Sequence, residues 1–173
     1  MKKLYNQKSK DLLIKKLESE DFKRITCSFY KYVTIVDPLT FRDKVYEEFD
    51  SFEILGRVYI ANEGVNAQIS VPEKNWGLFL KLIGSIKLFN DVDIKTAVND
   101  GISFYKLVVK VKKEIVAYKI PNSKFNMDVV GQHLNTKQFN EAMKHTNTTV
   151  IDMRNIYESE VGQFISAEIP QVE

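Results

Sequence analysis

From Cys27 onward the chain alternates between two apolar periods. Phe29, Lys31, Val33 and Ile35 fall on one side of an extended segment, with Tyr30, Tyr32 and Thr34 on the other. Aromatic and β-branched enrichment makes that segment a strand. Asp37-Pro38 ends it, because proline has no ladder donor and restricts the residue before it. Thr40 then reads as the N-cap of a helix in which Phe41, Val45 and Phe49 recur at a spacing of four. Gly56 opens a second strand, Arg57 to Ala61. Asn62-Glu63-Gly64 is a tight connection, Gly64 supplying a backbone angle that other residues resist. Beyond it Val65, Ala67, Ile69 and Val71 alternate with Asn66, Gln68 and Ser70, so the two segments form a hairpin. After Pro72, a second helical stripe runs through Trp76, Phe79, Leu80 and Ile83. The last strong strand spans Phe104 to Val111, with Tyr105, Leu107, Val109 and Val111 facing one way and Phe104, Lys106, Val108 and Lys110 the other.

Strand, helix, strand, strand, helix, strand is the α+β ferredoxin-like order, a four-stranded antiparallel sheet with both helices on one face. Residues 25–120 form this domain. Residues 1–24 are a lysine- and glutamate-rich extension, in which Leu12, Leu13 and Leu17 line one side of a short helix. Residues 121–135, with Pro, Asn, Ser and Gly and little period, read as a linker. Residues 136–173 offer a helix from Thr136 to Lys144 and a buried-looking strand from Thr149 to Met153. One helix and one strand bury no core alone; this piece packs on the first domain or begins something longer.

Superposing the alternations sorts the sheet into two faces. Val58, Ile60, Val65, Ala67, Ile69, Leu107 and Val109 face the helices. The opposite face carries Tyr30, Tyr32, Arg57, Tyr59, Asn66, Gln68, Lys106, Lys110 and Lys112. Tyrosines stack on bases, cations meet phosphates and amides read base edges. Antiparallel sheets also leave one face wet, and a following domain can dock there; the pattern leaves these alternatives open.

Composition adds exclusions. Of 173 residues 44% are hydrophobic and 28% charged, a globular balance, and the net charge of +2 makes no statement about partners. Cys27 is the sole cysteine, so no intramolecular disulfide forms and a reducing compartment is favoured. No signal-like stretch follows Met1, and no apolar run approaches the roughly 20 residues of a membrane helix; a cytoplasmic protein without a membrane partner is expected. His133 and His145 lie in different segments without a second cysteine, so no metal site is expected. Cys27, among apolar neighbours, reads as a buried structural thiol. Asp152, Arg154, Glu158 and Glu160 read as the charged turn that caps a helix.

Two segments carry a family resemblance. One runs from Ser28-Phe29-Tyr30-Lys31-Tyr32 to Asp37-Pro38 and continues in the hairpin from Gly56 to Ser70; the other is Val150-Ile151-Asp152-Met153-Arg154-Asn155-Ile156-Tyr157-Glu158, extending through Gly162, Phe164, Ala167 and Pro170. With Lys110-Val111-Lys112-Lys113-Glu114-Ile115-Val116, they resemble the rhodanese-containing tRNA uridine hydroxylases of bacteria. The resemblance implies an acylphosphatase-like (ferredoxin-like) domain followed by a rhodanese α/β domain, here incomplete. It implies a parent enzyme that uses dioxygen as co-substrate to hydroxylate the wobble uridine of tRNA, with tRNA rather than DNA as partner. The family's reactive cysteine lies in a later rhodanese loop and Cys27 is not at its position, so the resemblance implies a fragment with no catalytic residue, no cofactor and no activity alone. Ser159 and Gln163 depart from the family pattern. Tyr30, Tyr32, Arg57, Tyr59, Glu63, Asn66, Lys106, Lys110 and Lys112 are the candidates for an RNA- or domain-facing surface; for Asn66 and Gly64, turn geometry is the competing explanation. A rhodanese sulfurtransferase and a non-catalytic RNA-binding module are the alternatives. Acylphosphatase activity is disfavoured, since no phosphate loop with a partnered arginine and asparagine is present.

Overall fold

Regular alternation becomes regular pairing in the computed structural model, which describes residues 4–98, 103–115 and 131–170. Strand β1 (Arg24–Tyr32) pairs antiparallel with β3 (Gly64–Pro72), and β3 forms the expected hairpin with β2 (Leu55–Ala61). Helix α2 (Pro38–Ser51) links β1 to β2, and α3 (Trp76–Ser85) follows β3. Before β1, helix α1 (Lys10–Glu18) buries Leu17, whereas Leu12 stays exposed.

The sheet departs from the expectation at its edges. It is mixed and five-stranded, in the order β4-β1-β3-β2-β5. The fourth position of the ferredoxin-like arrangement is taken by β4 (Lys95–Thr96), two exposed residues antiparallel to β1. The segment expected there, observed as β5 (Leu107–Val111), lies at the other edge and runs parallel to β2. Alternation reveals which face a side chain takes but not which neighbour its strand joins.

The core lies between the sheet and α2 and α3. Phe29, Val58, Ile60, Val65, Ala67, Ile69, Leu107 and Val109 meet Val45, Phe49, Phe79 and Ile83. Phe49 and Phe79 stand edge-on at 6.0 Å, both without exposed surface; burying each contributes on the order of 2–3 kcal/mol. The cap of α2 is Asp37, not Thr40. Its carboxylate accepts from the backbone N–H groups of Leu39 and Thr40, both at 3.1 Å, and Pro38 occupies the first turn, where its missing donor costs nothing. The Thr40 side chain, together with those backbone bonds, holds the Asp37 carboxyl below the usual carboxylate range.

Two side chains tie distant segments together. The Arg24 guanidinium meets Glu20 through Nε (2.6 Å) and Nη2 (2.7 Å), and donates to the carbonyls of Glu53 (2.9 Å) and Ser70 (3.2 Å). It fixes the end of the N-terminal extension to β1, β3 and the α2–β2 turn. At the outer edge of β5, Arg42 Nε donates to the Val109 carbonyl at 3.0 Å.

The chain divides into two compact units, Met1–Asp128 and Val129–Glu173. In the second, α4 (Thr136–Ala142) begins with a capping box between Asn135 and Gln138, and α5 (Ile156–Val161) with one between Asn155 and Glu158. The buried strand expected from Thr149 to Met153 is a single bridge, Ile151 to Glu168, and Ile151 and Met153 are 55% and 68% exposed. Asp152 is the buried member instead. Arg154 and Ser159 bond its carboxylate, which is held down to about 2, chiefly by the Arg154 guanidinium. Most of the expected linker lies outside the described residues. No described helix is long and apolar enough to cross a membrane.

Candidate nucleic-acid interface

The sheet face turned away from the helices is built from rows set by strand register. Tyr30, Asn66, Tyr59 and Lys110 are successive partners across β1, β3, β2 and β5. Next to them runs a second row, Lys95, Ser28, Gln68, Arg57 and Val108, which crosses all five strands. Rows two residues apart lie roughly 7 Å from each other, so aromatic, amide and cationic groups share one surface a few nucleotides wide.

Both ends of this surface are covered. Residues 103–106 cross this face from β1 toward β5, which lies at the other edge. Ser103 lies with its hydroxyl 3.3 Å from that of Thr26, and Phe104 stands beside Thr26, Ser28 and Gln68. At the other end, residues 112–115 bend back over the β2–β3 turn. There the Glu63 carboxylate accepts the Ile115 N–H at 2.7 Å, and Asn66 Nδ2 donates to the Ile115 carbonyl at 3.5 Å. Ile115 is buried by this clasp. What remains is a window bounded by two straps.

The candidate residues divide accordingly. Tyr30 is 61% exposed and edge-on to Tyr32 at 6.3 Å. Arg57 and Lys110 are exposed and have no ion pair or side-chain hydrogen bond to a described residue. Lys112 places its ammonium 5.3 Å from the centre of the half-buried Tyr59 ring. These residues surround the window. Glu63 and Asn66 each commit one group to Ile115, an oxygen of the Glu63 carboxylate and the Asn66 amide nitrogen. Lys106 stands apart, at the opposite end of the face. Its ammonium lies 5.5 Å from the Tyr105 ring, and the residue lines a cavity of about 300 Å³ with Lys16, Glu20, Arg24 and Tyr46. Helix α1 closes that end, which the period of β5 alone could not reveal.

Gly64 has a structural reason for its identity. Its φ of +146° is a backbone state L residues rarely adopt, and a Cβ there would lie 2.0 Å from the Lys31 carbonyl oxygen. Cys27 is 2% exposed, and burial pushes its thiol up to about 12, which removes the thiolate at neutral pH. Among the described residues no group of three His, Cys, Asp or Glu side chains could hold a metal ion. Sequence reasoning missed Ser28, Lys95 and Phe104; their meeting depends on β4 and the crossing chain, neither of which leaves a periodic signal.

Comparison with known proteins bears on this surface. Proteins called tRNA uridine(34) hydroxylase match nearly the whole chain: that of Leptospira interrogans is 44% identical over 97% of this chain and 46% of its own length. The Buchnera aphidicola protein is 39% identical over 95% of this chain and 53% of its own, and the Escherichia fergusonii protein is 44% identical over 96% and 49%. The chain thus spans about half the length of the curated relatives it matches. The family model described as the UPF0176 acylphosphatase-like domain matches residues 24–115, α2, α3 and all five strands of the sheet just described. By that match, over more than half its length, the chain belongs to the UPF0176 acylphosphatase-like domain family.

Proposed function

We propose that this chain is the RNA-facing part of a tRNA uridine hydroxylase that acts in the cytoplasm, and that its sheet window holds tRNA while the oxidation occurs elsewhere in the longer protein. The observation that carries this reading is the window itself: Arg57 and Lys110, neither bonded through its side chain to a described residue, with Lys112 beside them, next to the rings of Tyr30 and Tyr59. Cations on a stacking platform are what a single-stranded loop requires, its phosphates and unstacked bases being presented together. The relatives' name supplies the substrate, a uridine of tRNA, and the reaction, hydroxylation; dioxygen as co-substrate is part of the proposal. In this reading residues 136–173 begin the rhodanese module, with the Asp152–Arg154 pair beside the Ile151–Glu168 bridge. No residue of this chain performs the chemistry; Cys27 is too deeply buried and too firmly protonated to do so.

The test is binding of the chain to unmodified tRNA at 50 and 200 mM salt. Three phosphate contacts make affinity fall roughly 20- to 40-fold over that range. The triple variant Arg57→Ala, Lys110→Ala, Lys112→Ala loses this binding and most of its salt dependence, whereas Lys106→Ala retains both. Absence of binding at low salt, or equal losses in Lys106→Ala and the triple variant, refutes the assignment.

A further inference from the structure

Beside the basic window lies a recess that the phosphate contacts do not use. Its volume is about 300 Å³, and its lining includes Thr26, Ser28 and Gln68 on the sheet, Lys95 at the β4 edge and Phe104 from the crossing chain. That is the lower end of the range for small-molecule sites and suits one planar heterocycle. Gln68 is exposed, and its amide makes no hydrogen bond to a described residue. Register places Gln68 between Ser28 on β1 and Arg57 on β2. The recess and the cationic window are therefore consecutive positions on one surface.

From this geometry we infer that the recess receives a single unstacked nucleobase of the RNA whose backbone crosses the window, a reading that rests on the function proposed above. Phe104 supplies the apolar wall on which a base stacks. The Gln68 amide offers one donor and one acceptor side by side, which pair with the Watson–Crick edge of any base according to how the amide is turned. Ser28 adds a hydroxyl that donates or accepts. Lys95, whose nearest described ion partner is Asp93 at 3.9 Å with both side chains well exposed, is placed to meet a flanking phosphate. Arg57, on the far side of Gln68, meets the next one. Base capture and backbone neutralisation then come from one row of the sheet, Lys95-Ser28-Gln68-Arg57.

The experiment compares two fluorescent RNA heptamers, heptauridylate and the same strand with an abasic central nucleotide, by anisotropy at 50 mM salt. Both carry the same phosphates, so only the base differs. The chain binds heptauridylate about tenfold more tightly, the scale of one base–aromatic stack. Gln68→Ala and Phe104→Leu each reduce that ratio toward one while leaving affinity for the abasic strand unchanged; Gln68 is exposed, so its truncation does not threaten folding. Equal affinity of the unaltered chain for the two strands overturns the base recess alone and leaves the basic window standing. Discrimination that survives both substitutions also overturns it. No binding of either strand overturns the recess together with the RNA-facing reading beneath it.

Discussion

Replacing Gly64 by alanine isolates one backbone contact. The Tyr32–Gly64 pair closes the β1–β3 ladder, and Gly64 sits at φ +146° with its missing Cβ directed at the neighbouring strand. An added Cβ would stand 2.0 Å from the Lys31 oxygen, 3.0 Å from the Lys31 carbonyl carbon and 3.1 Å from Tyr32 Cα. All three are backbone atoms, so no side chain can swing away. Two costs combine: about 1–3 kcal/mol for a non-glycine residue in that region, and the loss of ladder bonds when the strands separate, about 1 kcal/mol each. A total near 3–4 kcal/mol is a large share of the 5–15 kcal/mol that holds a domain together. It corresponds to a fall in melting temperature of roughly 15–25 °C for a domain near 100 residues. Trp76 is the only tryptophan, and its ring packs 5.4 Å from Phe79 in the same unit, so its fluorescence in urea follows that unit. Gly77→Ala is the control. It lies in α3 with nothing within 4 Å of an added Cβ, and should stabilise by about 0.5–1 kcal/mol. A loss below about 1 kcal/mol in Gly64→Ala, or a similar loss in Gly77→Ala, would refute the reasoning.

Three other perturbations follow from the same geometry. Arg24→Ala strands the Glu20 carboxylate, both side chains being about one-tenth exposed, and lowers unfolding stability by roughly 3 kcal/mol; a urea midpoint within error of the unaltered chain contradicts this. The Cys27 thiol, pushed up to about 12 by burial, resists a disulfide reagent at pH 8 until urea unfolds the chain. Since the unfolded thiol ionises near 9 while the folded one stays protonated, stability attributable to Cys27 is constant below pH 9 and declines as pH rises from 9 to 12; a Cys27→Ala variant with the same alkaline decline shows that other groups cause it. Glu63→Ala removes the acceptor for the Ile115 N–H and speeds hydrogen exchange at that amide about tenfold, with a smaller effect for Glu63→Gln, which keeps an acceptor; unchanged exchange in both rules out the clasp.

Legibility in the sequence tracked the range of the interaction. The hairpin and both sheet faces were readable because Val65, Ala67, Ile69 and Val71 repeat a period that every ladder partner shares. The β5 pairing was not, since Leu107 and Val109 suit a fourth antiparallel strand and a fifth parallel one equally. β4 has two exposed residues and therefore no period. Thr40 and Asp37 are both acceptable caps by type; Pro38 in the first turn favours Asp37. Of the surface candidates, Tyr30, Arg57, Tyr59 and Lys110 follow from register alone. The contact of Glu63 with Ile115 leaves no local signal because the two are 52 residues apart, and the setting of Lys106 leaves none because an N-terminal helix lies beside its end of β5.

The blunt edges of the sheet also bear on how the protein behaves in company. An open sheet ordinarily ends in unpaired N–H and C=O groups that invite a strand from another molecule. Here one border is a strand of two residues bearing Lys95, too short to template an addition, and the other has its central outward carbonyl, that of Val109, already bonded to Arg42. Substituting Arg42 would therefore do more than loosen a local contact. It would open a docking strip along β5 on which further copies can pair, visible as concentration-dependent growth in light scattering.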